Sequence, residues 1–212
     1  MTWAQKLDSV SAARDSLVCV GLDPDPRRMP VRDVAEFNRN IVDATSDPVC
    51  AYKPQLAFYE ALGIEGLRAL AATVEHIRKA APDAVIVGDA KRGDIDSTAE
   101  AYARAMFDVW GFDVVTVHAY LGRESVEPFL TRPDRGVLVV CRTSNPGARE
   151  LQDLRLARTG MAEPGRPEDA AGETGAPRLF EHVARLAAQW DRGGNVGLVV
   201  GATYPEELAM LR

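Results

Sequence analysis

The sequence predicts an α/β domain built around a parallel sheet, and two observations carry that expectation. Short apolar runs, each ending in polar or glycine residues, alternate with longer helical patterns. The runs are almost continuously apolar, as strands covered on both faces must be. A chain of 212 residues is long enough to enclose one sizeable core, so one domain is expected.

The first run spans 17–22 and precedes a helical pattern over 31–45. Asp33 and Glu36 stand there at the spacing of a capping box, which marks a helix start. The second run, 49–53, leads into a helical pattern over 58–80. The third, 84–89, is followed by a helical pattern over 97–110 that opens with Ser97 and Glu100 at the same spacing. That second box releases Asp94 from any capping duty. The fourth and fifth runs are 113–118 and 136–141, with helical patterns over 123–131 and 176–191. The sixth run, 196–201, is followed by Tyr-Pro-Glu-Glu-Leu-Ala-Met-Leu-Arg, which reads as a helix beginning. Between 159 and 176 the composition turns to Gly, Pro, Ala and acidic residues with no core face. This stretch reads as a mobile surface insertion. Six strand–helix units complete a doubly wound sheet but leave a (β/α)₈ barrel two units short. Composition leaves both open.

Composition limits the partners. Hydrophobic residues make up 46% and charged residues 26%, with a formal net charge of -6. Bulk affinity for nucleic acid or anionic lipid needs a basic face, so neither is expected. A phosphorylated small molecule needs only a local set of donors and stays open. No apolar run approaches the roughly 18–20 residues of a membrane span, and the first residues, Met-Thr-Trp-Ala-Gln-Lys-Leu-Asp, hold no apolar signal core. Cys19, Cys50 and Cys141 are odd in number and lack paired spacing, which points to reduced thiols and a cytoplasmic setting. All three read as small buried hydrophobes. No His/Cys cluster has metal-ligand spacing, and neither a P-loop nor a dinucleotide glycine fingerprint is present. No metal site is expected.

The chemistry should lie at the carboxyl ends of the strands, where both parallel architectures gather functional groups. Those ends carry Asp23, Lys53, Asp89, Lys91, Asp94, His118, Arg142 and Ser144. Residues i and i+2 of a strand point to one side, so Asp89 and Lys91 share a face that Lys53 reaches from the neighbouring strand. Gly93 permits a sharp turn, after which Asp94 follows. Burying several charges is costly, so a Lys–Asp–Lys–Asp array at consecutive strand ends argues for chemistry, since it shifts pKa values and fixes charge. His118 reads as a structural hydrogen-bonding residue, and His76 and His182 as surface residues. Arg142 is either catalytic or a balance for local carboxylates. Asn145-Pro146-Gly147 reads as a turn.

The pattern Asp89-x-Lys91-x-x-Asp94, preceded by Lys53, resembles the signature of the orotidine monophosphate decarboxylase family. Gly-Leu-Asp-Pro-Asp, Tyr-Lys-Pro-Gln, Gly-Asp-Ala-Lys-Arg-Gly-Asp-Ile and Arg-Thr-Ser-Asn-Pro-Gly are similar to strings of its longer bacterial branch. The resemblance implies a (β/α)₈ TIM barrel, here with about six of its eight units, a homodimer with shared active sites, and no metal or organic cofactor. It implies decarboxylation of a nucleotide, with Lys91 protonating C6 of the pyrimidine and Asp89 beside the departing carboxylate. Lys53 is implied to hold Asp89 and contact the ribose, Asp23 to bind ribose hydroxyls, and Ser144 to read the pyrimidine amide edge. Asp94 is implied to reach the partner's site, aided by Thr98. The family holds its substrate phosphate after the seventh and eighth strands, so the chain as given is expected to stop short of a working barrel. Two other chemistries share parts of this pattern. A Mg²⁺-dependent sugar-phosphate decarboxylase or synthase would place a carboxylate where Lys53 stands. A Schiff-base aldolase needs a neutral lysine, which the nearby carboxylates oppose.

Overall fold

A computed structural model describes residues 1–156, 176–191 and 193–212. Its elements, in chain order, are α1 (Trp3–Arg14), β1 (Cys19–Leu22), α2 (Val34–Thr45), β2 (Ala51–Pro54), α3 (Leu56–Glu60), α4 (Gly63–Ala80), β3 (Val85–Arg92) and α5 (Asp96–Arg104). They continue with β4 (Val114–His118), α6 (Glu127–Leu130), β5 (Gly136–Arg142), α7 (Arg149–Gln152), α8 (Leu179–Trp190), β6 (Val196–Val200) and α9 (Pro205–Leu211). The expected insertion over 159–176 lies, apart from Ala176, outside the described residues.

All six strands are parallel, and their order is β1-β2-β3-β4-β5-β6. This order decides between the two architectures. A doubly wound sheet reverses direction at a switch point, whereas a barrel adds each strand beside the last. Consecutive right-handed crossovers then keep every connecting helix on one side, and the twisted sheet curls into a partial barrel.

The larger core lies between the sheet and its outer helices. Tyr52, Leu70, Ile77, Ile86, Phe107, Phe112, Val115, Phe129 and Val137 are buried there. Alternate strand residues face the other way: Ala51, Val85, Val87 and Val114 pack with Val10, Trp3 and Leu7 of α1. Helix α1 thus covers the amino-terminal end of the strands. Its Trp3 ring occupies the space a Cβ on Gly136 would take. Asp113 ties the same end together: its carboxylate accepts the Ile86 N–H at 2.8 Å and pairs with Lys6 at 3.1 Å and Arg78 at 3.2 Å.

Several local expectations change. The helix expected over 58–80 is two helices, because Gly63 has φ +63° and breaks it. The helix expected over 97–110 begins at Asp96 and passes into a π-helical turn over Ala105–Val109. Ser97 does not cap it; the N-cap is Ile95, without a side-chain hydrogen bond. Asp33 does cap α2, its carboxylate accepting the Glu36 N–H. The expected 123–131 helix is a 3₁₀ turn over Arg123–Ser125 and the short α6. Cys50 and Cys141 are buried, as a small apolar role requires, but Cys19 is exposed on the first strand. Burial pushes the Cys141 thiol up to about 11. Among the described residues, no helix is long and apolar enough to cross a membrane.

Candidate active site

The site centres on the carboxylate of Asp89, which is only 6% exposed. Each of its oxygens receives two donors. Oδ2 accepts from Lys53 Nζ at 2.9 Å and Gln55 Nε2 at 2.8 Å. Oδ1 accepts from Lys91 Nζ at 2.6 Å and Thr116 Oγ1 at 2.9 Å. A carboxylate offers about four lone-pair directions, so this one is fully used. Three neighbouring strands supply the donors: β2 and the residue after it, β3 itself, and β4. Burial acts to raise the Asp89 pKa, but the bonds from Lys91, Lys53 and Thr116, with the Lys53 charge, outweigh it and hold the carboxyl below its ordinary value.

Lys91 does not reach Asp89 as part of a regular strand. Its φ is +47°, a conformation that costs a non-glycine residue about 1–3 kcal/mol. The strand pairing shows where the distortion lies. Gly88 pairs with Val115 and Arg92 with Val117, so four steps along β3 oppose two along β4. The surplus residues form a bulge, and bulges near active sites re-aim side chains. Thr116 sits opposite this bulge and is 2% exposed. Its Oγ1 accepts the Ala90 N–H at 3.0 Å and the Lys91 N–H at 2.9 Å. The Lys91 side chain stays about half exposed.

The other expected residues are placed as follows. Asp94 does not join the cluster within one chain; its carboxylate accepts the Ile95 N–H at 2.8 Å. The four-charge array is therefore three charges here. Gly93 is required for a different reason than a sharp turn: a Cβ there would meet the His118 ring at 2.6 Å. The expected hydrogen bond of His118 is missing at Nδ1, which is buried without a partner among the described residues. Asp23 is exposed at the end of β1 and lines a small cavity with Gly21, Asp25 and Arg28. Thr98 is exposed in the first turn of α5, and Ser144 is exposed just after β5, against Gly201. His76 bonds Asp43 at 2.6 Å. Arg142 is 1% exposed and balances carboxylates, pairing with Glu207 at 2.6 Å and Asp153 at 2.8 Å beneath the Tyr204 ring. Among the described residues, no group of three or more His, Cys, Asp or Glu could hold a metal ion.

Sequence reasoning missed Gln55 and Thr116. A lone threonine inside the apolar string Val114-Val115-Thr116-Val117 was the available signal. Gln55 had none beyond its place at a strand end.

Comparison with known proteins agrees with this geometry. A sequence model described as "Orotidine 5'-phosphate decarboxylase / HUMPS family" matches residues 16–211. The chain is 49% identical to a curated orotidine 5'-phosphate decarboxylase of Thermomicrobium roseum, covering 100% of this chain and 71% of that protein. It is 46% identical to one from Dehalococcoides mccartyi, covering 100% and 73%. Its fold is similar to the solved Leishmania donovani OMP decarboxylase, with TM-score 0.83, 38% identity, and 100% of this chain against 75% of that one.

Proposed function

The chain belongs to the orotidine 5'-phosphate decarboxylase / HUMPS family, and from that premise we propose that Lys53, Asp89 and Lys91 are its catalytic centre. The activity is that of a carboxy-lyase of pyrimidine biosynthesis, which converts orotidine 5'-monophosphate to uridine 5'-monophosphate. The observation that carries the residue assignment is the Asp89 carboxylate, buried and held by two lysines from adjacent strands.

The chemistry asks for this arrangement. The bond from C6 to the carboxylate breaks, CO₂ leaves, and the electron pair stays in an in-plane orbital of C6. The ring cannot delocalise that pair, so a fixed cation must stabilise it. The Lys91 ammonium supplies the cation, then passes a proton from Nζ to C6, and solvent restores that proton. Asp89 fixes Lys91 and sets a negative charge beside the substrate carboxylate. That repulsion disappears as CO₂ departs, so it raises the ground state more than the transition state. Lys53, anchored on the opposite oxygen of Asp89, keeps the carboxylate ionised and reaches toward the ribose. Asp23 takes ribose hydroxyls and Ser144 the pyrimidine edge. Asp94, half-buried past the end of β3 and free of Lys53 and Lys91 within its own chain, acts in the site of a second copy, with Thr98 nearby. A Mg²⁺-dependent reaction on the same barrel is less well supported, because Lys53 stands where a carboxylate would bind the metal.

Lys91→Ala, made in the enzyme expressed from its complete reading frame, is expected to lower kcat by about 10⁴-fold or more, since it removes both cation and proton donor. Circular dichroism should remain that of the parent. Turnover of the parent should persist in a chelator. Turnover by Lys91→Ala within tenfold of the parent, or loss of parent activity on chelation, overturns the mechanism.

A further inference from the structure

We propose that Thr116 is a positioning residue for the decarboxylation, the group that holds the β3 bulge in the one shape that brings Lys91 onto Asp89. The inference rests on the assignment of Lys91 and Asp89 as catalytic and adds a part to it. Thr116 touches neither substrate nor reacting carbon; it acts through the two residues that do.

The argument starts from the register. Three residues of β3, Asp89 to Lys91, lie opposite the single position of Thr116 on β4. A regular ladder cannot serve the Ala90 and Lys91 amides across such a mismatch, and a buried amide without an acceptor is costly. The Thr116 hydroxyl has one proton and two lone pairs. The lone pairs take the Ala90 and Lys91 N–H groups at 3.0 and 2.9 Å, and the proton goes to Asp89 Oδ1 at 2.9 Å. Its whole hydrogen-bonding capacity is spent on three consecutive residues.

Two of those bonds fix geometry that catalysis depends on. The Lys91 backbone is left-handed, φ +47°, and without a bond at its own N–H it has little reason to stay so. The bond to Asp89 Oδ1 lands on the same oxygen that receives Lys91 Nζ, so one hydroxyl orients both partners of the ion pair. Serine supplies the same donor and acceptors. Valine has nearly the same shape and none of them. Position 116 is 2% exposed, so solvent has little access to replace what valine removes.

The test is kinetic, on the enzyme expressed from its complete reading frame. Thr116→Val is expected to lower kcat on the order of 100-fold, the cost of misplacing a catalytic group by about an ångström. KM for orotidine monophosphate should change by less than about threefold, because the contacts remote from C6 are untouched. Thr116→Ser should restore kcat to within about fivefold of the parent. A Thr116→Val enzyme with parental kcat, or a Thr116→Ser enzyme as slow as Thr116→Val, overturns the proposal; the second result would make the methyl group the important part. A second measurement needs no variant. Native-state hydrogen exchange of the parent should protect the Ala90 and Lys91 amides as strongly as the core amides of Val115 and Val117. Exchange at loop-like rates there overturns the proposal even where Thr116→Val fails to fold. A parent that does not decarboxylate orotidine monophosphate counts against the functional reading instead, and the exchange rates still decide the case of Thr116.

Discussion

Gly93 shows how a single position can be fixed by a neighbour rather than by its own backbone. Its missing Cβ leaves room for the His118 ring, whose Cε1 and Nε2 would lie 2.6 Å from any added methyl. Relief would have to come from moving the end of β3 or the ring, and Lys91 is two residues away. With Lys91 as the proposed proton donor, Gly93→Ala is therefore expected to lower kcat/KM by about tenfold or more, through displacement of that lysine. The clash predicts strong coupling, so the same change in a His118→Ala background should cost little. Equal costs in both backgrounds would show that glycine is needed for its conformation instead. Residue-level legibility follows the same division. Lys53, Asp89 and Lys91 could be read from the sequence because charge at successive strand ends has no easy structural excuse. Thr116 was marked only as a lone threonine in an apolar run, since its importance depends on a bulge that β3 does not announce, and Gln55 is an uncharged residue at a strand end that nothing in the sequence singles out. Arg142 was ambiguous because a buried arginine looks alike in sequence whether it meets substrate or, as here, Glu207 and Asp153.

At the scale of elements, the six strands were legible to within a few residues because apolar runs of that length have few other uses. The helices were less so. The break at Gly63 and the π turn over Ala105–Val109 interrupt patterns that look continuous in periodicity. Helix α1 precedes the strand–helix alternation, and its signals were local: Thr2 and Gln5 form a reciprocal capping box, and Trp3, Leu7 and Val10 fall on one face. Beside this apolar packing, Lys6 of α1 joins the Asp113 cluster. Burial acts to raise the Asp113 pKa, but the Ile86 amide, Arg78 and Lys6 outweigh it and hold the carboxyl below its ordinary value. The sign of the pH dependence follows. A group with a depressed folded pKa stabilises fully above its unfolded value, 3.8 for this carboxyl, and its contribution is lost as pH falls through the lower folded value. Asp113→Ala leaves Arg78, Lys6, Arg135 and the Ile86 N–H facing an empty site, and should cost about 1–3 kcal/mol at neutral pH. In urea titrations the gap between parent and variant should narrow as pH is lowered toward about 3. A gap independent of pH would mean that the Asp113 charge is not the source of the lost stability.

At the scale of the whole molecule, the sheet brings Lys53, Asp89 and Lys91 together from two strands of one chain but leaves Asp94 outside that cluster. A sequence pattern in which Asp94 follows Lys91 by three residues thus resolves into two different locations. An aspartate that pairs with neither Lys53 nor Lys91, on the turn ahead of α5, is suited to serve another copy of the chain. If it does, each active site takes Lys91 from one subunit and Asp94 from the other, and the arithmetic of mixed dimers is fixed. A Lys91→Ala homodimer lacks the proton donor at both sites, and an Asp94→Ala homodimer lacks the partner carboxylate at both. A heterodimer of the two concentrates both defects in one site and leaves the other intact. Heterodimers isolated with two affinity tags should therefore recover close to half of the parental kcat per dimer, while both homodimers stay far below it. Were Asp94 to act within its own chain, every site of the heterodimer would carry one defect, and activity could not exceed the mean of the two homodimers. Recovery well above that mean requires a shared site, because subunits that do not share residues cannot complement one another by association alone.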